Sequence, residues 1–395
     1  MNRIRYQPNL DHARKSFASE MIETILRAAE PANAIKKHFN KSRFNRPTHI
    51  LAFGKASIEM TNAAIECLGD RFARASVIST PELCAQAQFK NKFVDLLTAT
   101  HPFPTLQNIH STNQLIEHAR SIPADHQVLV LISGGGSALL CSPKEGVTLE
   151  DLATTSRTLM NSGASIHELN AERSKQETLK AGGLAEVLRH VYQTDAFVLS
   201  DVIGDDLRTI SSGPLVDQLP PSIEHTIVAN NQTILDALCA WIAIEHIHPV
   251  KVIKQVTGSA NKLGQQIASK LIESSSDLPC AVSLGGEPTV DVEDADGIGG
   301  PMLELALSCA YELCKTEFRW TVLTFASDGI DGPTDACGAV ISNDMIQSNQ
   351  TQEAIRSSLE SHDTLQMCDT LGATIRTGAT GTNVNDVMLA IRWED

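Results

Sequence analysis

Short apolar runs that end in small or acidic residues recur along the chain and predict buried β-strands. The clearest run is 128–132, which leads into Ser-Gly-Gly-Gly-Ser and then into a helix-forming stretch. A continuous apolar run of this length is typical of a strand buried on both faces. Further strands are predicted at 49–53, 75–78, 93–97, 196–199, 226–229, 251–256, 280–284 and 320–325.

Apolar residues at helical spacing predict the elements that alternate with these strands. The pattern is present in 11–40, 107–120, 233–244 and 262–273. Strand, small or acidic loop and helix therefore follow one another repeatedly, which predicts parallel α/β sheets. In such sheets ligands bind beyond the carboxyl ends of the strands. We therefore expect the loops at these strand ends to meet in one cleft between two domains.

Composition and charge limit the class of protein. The chain has 395 residues, 42% of them hydrophobic and 20% charged, which is typical of a globular protein of two domains or one large one. Its net charge of -15 argues against non-specific binding of nucleic acid. The chain opens without a signal-peptide pattern and its apolar runs are too short to span a membrane, so we expect a cytoplasmic protein. Nine scattered cysteines without a CxxC pair predict buried free thiols.

The glycine-rich loop after 128–132 is the first candidate for ligand binding. Glycine permits positive φ and close approach of another group. A helix that begins at the loop would also direct free N–H groups and its positive dipole end at an anion. A tight turn without a ligand explains the same residues, because glycine-rich loops are common. The loop alone therefore predicts either a turn or a site for phosphate or carboxylate.

Three cations are candidates for binding an anion. Lys55 follows Gly54 at the end of a predicted strand, where it could reach a phosphate or remain a solvated loop lysine. Arg173 and Lys180 are seven residues apart, so on one helix they would share a face, as an anion-facing pair or as a solvated surface. His101, in a His-Pro-Phe-Pro turn, could face a site, although a lone histidine is more often structural.

Carboxylates are concentrated in three loops that follow apolar strands. Asp201, Asp205 and Asp206 share one loop, Glu287 lies in the second and Asp328 in the third. Such oxygens suit Mg²⁺ or could orient a substrate hydroxyl. Helix N-capping by Asp205 or Asp206 is the alternative. A last loop, at 377–386, supplies hydroxyls and amides that could wrap phosphate oxygens.

Several short motifs keep one order along nearly the whole chain. They are Gly54-Lys55-Ala56, His101-Pro102, Ser133-Gly-Gly-Gly-Ser137, Gly163-Ala164, Asn170 with Arg173 and Lys180, Ser200-Asp201-Val202, Gly204-Asp205-Asp206, Ser212-Gly213-Pro214, Gly285-Gly286-Glu287, the segment 328–335 and the segment 380–386. In this order they resemble the glycerate 2-kinase family, whose C-terminal part is called the MOFRL domain. DGIDGPTD and TGTNVND are the most specific of them.

The resemblance implies an activity and a domain organisation. The activity is ATP-dependent phosphorylation of D-glycerate at its 2-hydroxyl, with ATP and Mg²⁺, to give 2-phosphoglycerate. The fold class is α/β, with a Rossmann-like parallel sheet in an N-terminal domain over 1–250. A smaller α/β domain of the MOFRL type follows over 251–395, with the active site in the cleft between the two. The expected partners are the nucleotide and glycerate, without nucleic acid or membrane, and a homodimer is a candidate assembly.

Phosphoryl transfer depends on positioning and charge neutralisation, which assigns hypothetical roles to these residues. Lys55, Arg173, Asp201 and Asp205 are the predicted catalytic residues. Asp205 and Asp206 are the predicted metal ligands. The predicted contacts to substrate and phosphate are Ser133, Gly134, Gly135, Gly136, Ser137, Lys180, Glu287, Asp328, Thr380, Thr382 and Asn383.

The sequence departs from the family pattern at 174–177 and at 301–303, where polar residues of the family are replaced by Pro-Met-Leu. Two alternatives therefore stay open. One is an NAD(P)H-dependent hydroxypyruvate reductase, which the lack of a GxGxxG motif disfavours. The other is a non-catalytic member of the family that binds a nucleotide or a sugar acid.

Overall fold

Two compact units make up the protein. The computed structural model describes residues 5–6, 12–89, 91–161, 166–216, 223–274, 277–290 and 297–394. One unit runs from Glu30 to Asn230 and contains six strands, and the other combines the residues before Glu30 with those from Asn231 onward and contains seven. We call them the six-strand unit and the seven-strand unit.

The division differs from the predicted boundary after residue 250. It falls after Asn230, and the first helix of the chain joins the C-terminal residues. Aromatic packing explains this assignment, because the ring centroid of Phe17 lies 5.0 Å from that of Trp241 and 5.8 Å from that of Trp393. Sequence periodicity could not reveal contacts between segments so far apart.

The strands of the described residues, in chain order, are β1 (Arg5–Tyr6), β2 (Thr48–Phe53), β3 (Phe72–Ser79), β4 (Val94–Thr98), β5 (Gln127–Ile132), β6 (Gln193–Leu199), β7 (Glu224–Ala229), β8 (His248–Ser259), β9 (Cys280–Thr289), β10 (Trp320–Ala326), β11 (Gly338–Ser342), β12 (Thr374–Arg376) and β13 (Asp386–Arg392).

The α-helices of the described residues are α1 (His12–Ala28), α2 (Pro31–His38), α3 (Ser57–Leu68), α4 (Pro81–Gln86), α5 (Leu106–Ser121), α6 (Gly136–Leu139), α7 (Leu149–Asn161), α8 (Ile166–Gln176), α9 (Gly183–Val187), α10 (Asn231–Ile244), α11 (Ala260–Ile272), α12 (Pro301–Leu313), α13 (Asn349–Ser361) and α14 (Thr364–Leu371). None of the described helices is both long and apolar enough to cross a membrane. All nine cysteines are free thiols; five of them are buried, and the prediction of burial was wrong for the partly exposed Cys67, Cys84, Cys239 and Cys314.

The six-strand unit contains a fully parallel sheet. Its strand order is β4-β3-β2-β5-β6-β7, and every residue of β2 and β5 is buried. Apolar side chains are buried on both faces of these central strands, such as Leu51 and Val130 on one face and Ile50 and Leu129 on the other, since a parallel sheet is covered on both faces. Numbered within the unit, the order is 3-2-1-4-5-6, the order of Rossmann folds. The predicted fold class is thus confirmed.

The seven-strand unit contains a mixed sheet. Its order is β1-β12-β11-β10-β13-β9-β8, and only β8 and β9 pair in parallel. The prediction of parallel sheets throughout was therefore wrong for this unit. The physical reason is that β10 and β11 are joined by a loop, and antiparallel strands need no helical crossover. Strand β9 also extends through Glu287, so the predicted loop at 285–287 is a strand.

Arg173 and Lys180 do not share a helix, which corrects a second prediction. Helix α8 ends at Gln176. Beyond it the backbone of Glu177 pairs with Pro143, and the N–H of Thr178 donates to the carbonyl of Ser142 at 2.8 Å. This local strand pairing competes with the helix and stops it before Lys180.

A chain of hydrogen-bonded imidazoles lies in the six-strand unit. Ser76 Oγ lies 2.8 Å from His118 Nδ1, His118 Nε2 lies 2.9 Å from His49 Nδ1, and His49 Nε2 lies 3.0 Å from His126 Nδ1. Each of these contacts holds one proton, so neutral rings satisfy the chain. Burial is the main cause that lowers the pKa of His49 and of His118 to about 4, and the charge of Arg74 contributes to both shifts.

These pKa shifts predict that acid destabilises the six-strand unit. In the unfolded chain the two histidines titrate near 6.5, so between pH 6.5 and 4 the unfolded state binds more protons than the folded state. The free energy of unfolding should therefore decrease as the pH is lowered, by up to ~1.4 kcal/mol per pH unit for each histidine. Amide hydrogen exchange of β2 and β5 between pH 7 and 5 measures this. The variant His118→Asn should show a smaller slope.

The matched control for this experiment is His110→Asn, because His110 is exposed and contacts only Gln114 among the described residues. Its slope should equal that of the unaltered protein. The buried Asp195, whose pKa is raised by burial, acts in the opposite direction but is common to all three proteins. Equal slopes for His118→Asn and the unaltered protein would contradict the assignment.

Candidate active site

The central crevice of the parallel sheet is where a ligand site is expected. Strand order reverses between β2 and β5, and in open α/β sheets ligands bind beyond the carboxyl ends of the strands at such a point. Gly54 and Lys55 follow β2, and the loop from Ser133 to Ser137 follows β5. The two loops that sequence reasoning singled out therefore lie side by side.

Hydrogen bonds donated by backbone N–H groups join these two loops. The N–H of Lys55 donates to the carbonyl of Gly134 at 2.9 Å, and the N–H of Ala56 donates to Ser133 Oγ at 3.0 Å. Gly54 has a φ of +127°, and a Cβ on it would lie 2.1 Å from Ser133 Oγ. Only glycine fits here, because the residue needs both a positive φ and close approach.

Gly135 lies between the side chains of His101 and Lys55. It has a φ of +82°, and a Cβ on it would lie 3.0 Å from His101 Cδ2 and 3.6 Å from Lys55 Cγ. The helix predicted to begin here, α6, is a single turn of four residues. Its dipole is therefore too short to support the anion-site argument, which depends instead on the neighbouring cations.

Lys55 and Arg173 are cations without carboxylate partners among the described residues. Arg173 Nη1 donates to Ser137 Oγ at 3.3 Å, and this is its one hydrogen bond in that part of the chain. Burial lowers the pKa of Arg173, while Glu177 opposes the shift. A guanidinium has five N–H donors, and a half-buried one that makes no ion pair favours an anionic ligand. An anion site formed by Arg173 and Lys55 stays a prediction.

Lys180 binds the backbone of the glycine loop and of the residues that follow it. Its Nζ donates to the carbonyls of Ser137 at 2.6 Å and Leu140 at 2.7 Å, and lies 3.9 Å from Glu177 Oε2. The residue is only 3% exposed, and burial lowers its pKa. Because its donors point to the loop, the structure favours a positioning role over the predicted contact to phosphate.

A third loop, after β6, completes the crevice. Ser212 Oγ lies 2.8 Å from Ser137 Oγ and 2.8 Å from Asn170 Oδ1, and a Cβ on Gly136 would lie 2.3 Å from Ser211 Oγ. Ser211 and Ser212 have φ of 51° and 61°, a left-handed backbone that costs energy for these residues. Their hydroxyls are donors that the predicted site did not include.

The predicted metal ligands lie in the same loop. Asp205, with a φ of 52°, accepts a hydrogen bond from the amide of Asn230, and Asp206 Oδ1 accepts one from the N–H of Arg208 at 3.0 Å. Carboxylates keep acceptor capacity beyond one such bond. Among the described residues no three His, Cys, Asp or Glu side chains form a metal-binding group. Two carboxylates are compatible with Mg²⁺, which often uses one or two of them with phosphate oxygens and water, and binding of this ion by Asp205 and Asp206 stays a prediction.

Carboxylates also gather in the seven-strand unit, around the start of β13. Asn385 Nδ2 donates to Glu287 Oε2 at 3.3 Å across the β9–β13 pair. Burial, followed by the charges of Asp331, Asp328 and Glu287, raises the pKa of Asp386 well above its usual value. This cluster contains two of the predicted contacts, Glu287 and Asp328.

Asp331 caps the first turn of helix α12, where the sequence departs from the family pattern. Its carboxylate accepts the N–H groups of Met302 and Leu303 at 2.9 Å each, at the first turn of α12. Burial is the largest cause that raises its pKa to about 6. The Met302 and Leu303 side chains are fully buried in the core of the seven-strand unit. Of the apolar residues at 301–303, Met302 and Leu303 therefore serve packing.

The predicted contacts near the C-terminus make hydrogen bonds within the seven-strand unit. Thr380 Oγ1 donates to the carbonyl of Ser327, Thr382 Oγ1 donates to the carbonyl of Ala29 at 2.9 Å, and Asn383 Oδ1 accepts from the N–H of Asn385 at 3.1 Å. Their role in binding phosphate stays a prediction.

Sequence reasoning missed five residues of these clusters, namely Ser211, Ser212, Asp331, Asn385 and Asp386. All of them except Ser211 were inside motifs that carried the resemblance, so a signal existed but did not assign a role. The motif at Gly163-Ala164 lies outside the described residues. The meeting of the loops of both units in one cleft stays a prediction.

This chain is similar to two family models and to several known proteins. Residues 17–247 match the model described as "Domain of unknown function (DUF4147)", and residues 280–386 match that of the MOFRL family. A D-glycerate 2-kinase of Thermotoga maritima is 30% identical over 95% of this chain and 98% of its own length. A putative hydroxypyruvate reductase of Agrobacterium vitis is 30% identical over 86% of this chain and 97% of its own.

Among solved structures, a crystal structure of glycerate kinase from Thermotoga maritima superposes with a TM-score of 0.86. It is 28% identical in sequence and covers 97% of this chain and 100% of its own. The similarity thus extends over both units.

Proposed function

This chain belongs to the glycerate 2-kinase family, and we propose that it transfers a phosphoryl group from ATP to the 2-hydroxyl of D-glycerate. The Rossmann strand order and both domain matches support a kinase of this family. The names of the relatives support glycerate as the acceptor.

The observation that carries the proposal is the anion site at the centre of the parallel sheet. Lys55 and Arg173 lie beside the glycine loop, and neither has a carboxylate partner among the described residues. Both substrates of the reaction are anionic, and a planar guanidinium suits the carboxylate of glycerate. The site therefore has the charge that phosphoryl transfer needs.

The side chains of this site have distinct proposed roles. Arg173 binds the carboxylate of D-glycerate, and Lys55 stabilises the charge that develops on the transferred phosphoryl group. Asp201 or Asp205 accepts the proton of the 2-hydroxyl as it attacks. Asp205 and Asp206 would hold Mg²⁺, which neutralises phosphate charge when bound. Lys180 holds the carbonyls of Ser137 and Leu140 in place.

A direct test separates this activity from the two alternatives. The purified protein is incubated with ATP, Mg²⁺ and D-glycerate, and the product is identified as 2-phosphoglycerate or 3-phosphoglycerate. We expect 2-phosphoglycerate and an equal amount of ADP. Oxidation of NAD(P)H with hydroxypyruvate, without ADP formation, would establish the reductase instead. Binding of ATP or glycerate without any product would establish a non-catalytic protein.

Replacement of Arg173 by methionine should weaken glycerate binding. The change removes a charge-assisted contact but keeps an unbranched side chain, so we expect KM for D-glycerate to rise ten- to a hundredfold, roughly 1.5–3 kcal/mol of binding. KM for ATP should change much less. The matched control is Arg189→Met, which removes an exposed arginine paired with Glu186. If both variants have the same KM for glycerate, Arg173 does not bind the carboxylate.

The remaining features stay proposals. ATP as the nucleotide and a homodimeric assembly are proposed from the family. A cytoplasmic location is consistent with the lack of a membrane-spanning helix among the described residues. Analytical ultracentrifugation would determine the assembly.

A further inference from the structure

His101 lies in the anion site without a role. Its ring edge faces the glycine loop, since a Cβ on Gly135 would lie 3.0 Å from His101 Cδ2 and 3.3 Å from His101 Nε2. The same point is 3.6 Å from Lys55 Cγ. One glycine therefore separates the imidazole from the stem of the lysine that follows β2.

The ring nitrogens of His101 are not used by the fold. Within the described part of the chain neither nitrogen has a hydrogen-bond partner, and the residue is exposed. In contrast, His49, His118 and His126 are joined to each other by hydrogen bonds. The nitrogens of His101 are therefore accessible to a ligand, whereas those of the joined histidines are held within the fold.

Charge also favours a neutral imidazole at this position. Partial burial, and then the neighbouring charge of Lys55, lower the pKa of His101 to about 4. At neutral pH the ring thus offers one N–H donor and one acceptor. An oxyanion beside Lys55 would reverse part of this effect, because a nearby negative charge favours the protonated ring.

We propose that His101 is a ligand-contacting residue of this site, which donates a hydrogen bond from Nε2 to an oxygen of the anion held by Lys55. The anion is a phosphate or a carboxylate, which share this chemistry. The inference rests on the proposed function only for the identity of the ligand, since phosphoryl donor and glycerate each carry such a group.

The first experiment measures binding without turnover. The ¹⁵N resonances of His101, assigned by their loss in His101→Gln, are titrated with pH in the free protein, with inorganic phosphate and with D-glycerate. A rise of the His101 pKa by at least one unit with phosphate assigns the contact to a phosphoryl group. The same rise with D-glycerate alone assigns it to the carboxylate. An unchanged titration with both ligands overturns the proposal.

The second experiment uses two variants that differ in their donor. His101→Gln keeps an N–H near the position of Nε2, and His101→Leu removes it. We expect His101→Leu to lower kcat/KM at least tenfold, a loss of ~1.4 kcal/mol relative to the unaltered protein. His101→Gln should stay within about threefold of the unaltered protein. The control is His110→Leu, on the exposed face of α5, which should match the unaltered protein.

The two experiments distinguish failure of the inference from failure of the proposed function. If the protein makes no 2-phosphoglycerate but phosphate raises the His101 pKa, the anion contact stands and the kinase proposal falls. If the protein is an active glycerate kinase and His101→Leu equals the unaltered protein, the contact is absent. Equal losses in His101→Leu and His101→Gln would mean that the ring serves packing alone, which also overturns the proposal.

Discussion

Replacement of Lys55 by methionine is expected to lower kcat about a hundredfold, because a fixed positive charge aimed at the reacting phosphoryl group contributes to the transition state. Methionine keeps a stem of similar length beside Gly135, where Lys55 Cγ packs, and removes only the ammonium. The backbone bond from Lys55 N–H to Gly134 is kept as well. The change should therefore leave the loop intact.

Steady-state kinetics with both substrates at saturation measure this loss, and the far-UV circular dichroism spectrum verifies the fold. The matched control is Lys36→Met, since Lys36 lies on the surface and pairs with Glu66. That variant should have normal turnover. A Lys55→Met protein with near-normal kcat would remove Lys55 from the list of catalytic residues and leave Arg173 to explain the charge of the site.

Replacement of Gly54 by alanine is expected to be the most damaging single change to the six-strand unit. The added Cβ would lie 2.1 Å from Ser133 Oγ and 2.6 Å from the Ser133 carbonyl oxygen, at a φ of +127° that an L-residue rarely adopts. A backbone atom cannot move aside as a side chain can, so β2 and β5 must separate. We expect a loss of about 3–5 kcal/mol in the free energy of unfolding.

Urea-induced unfolding measures this loss. Gly146→Ala is the control, because Gly146 has a similar left-handed φ of +83° but no atom within 4 Å of an added Cβ. It should cost about 1–2 kcal/mol, the price of the backbone conformation alone. Equal costs for both variants would show that the contact with Ser133 does not restrict the crevice.

Much of the parallel sheet could be predicted from the sequence, and much of the mixed sheet could not. Continuous apolar runs such as 128–132 leave little choice, because such a strand must be covered on both faces. In the seven-strand unit the same runs occur, but strand direction depends on the connections. The loop between β10 and β11 decides it, and its residues resemble an acidic site loop.

For the candidate site, the sequence indicated which residues to consider, but it did not indicate their hydrogen-bond partners. The glycine loop and Lys55 stood out as candidates because they follow buried strands, although a plain turn and a solvated lysine explain the same residues. Lys180 was predicted to bind phosphate, but its partners are loop carbonyls forty residues away in sequence. Likewise Asp331 was one acid among several until the N–H groups of α12 identified it as a cap. Pairs of residues so distant in sequence leave no local pattern from which they could be predicted.

The interrupted course of the chain has a consequence for biosynthesis. Residues 30–230 form one uninterrupted unit, so they can complete their core as soon as they leave the ribosome. Helix α1 emerges before this unit, yet the aromatic partners of its Phe17 include Trp393, which follows much later along the chain. We therefore expect α1 to remain without this partner until Trp393 has been translated, and truncations before Trp393 to leave the ring of Phe17 accessible to chaperones.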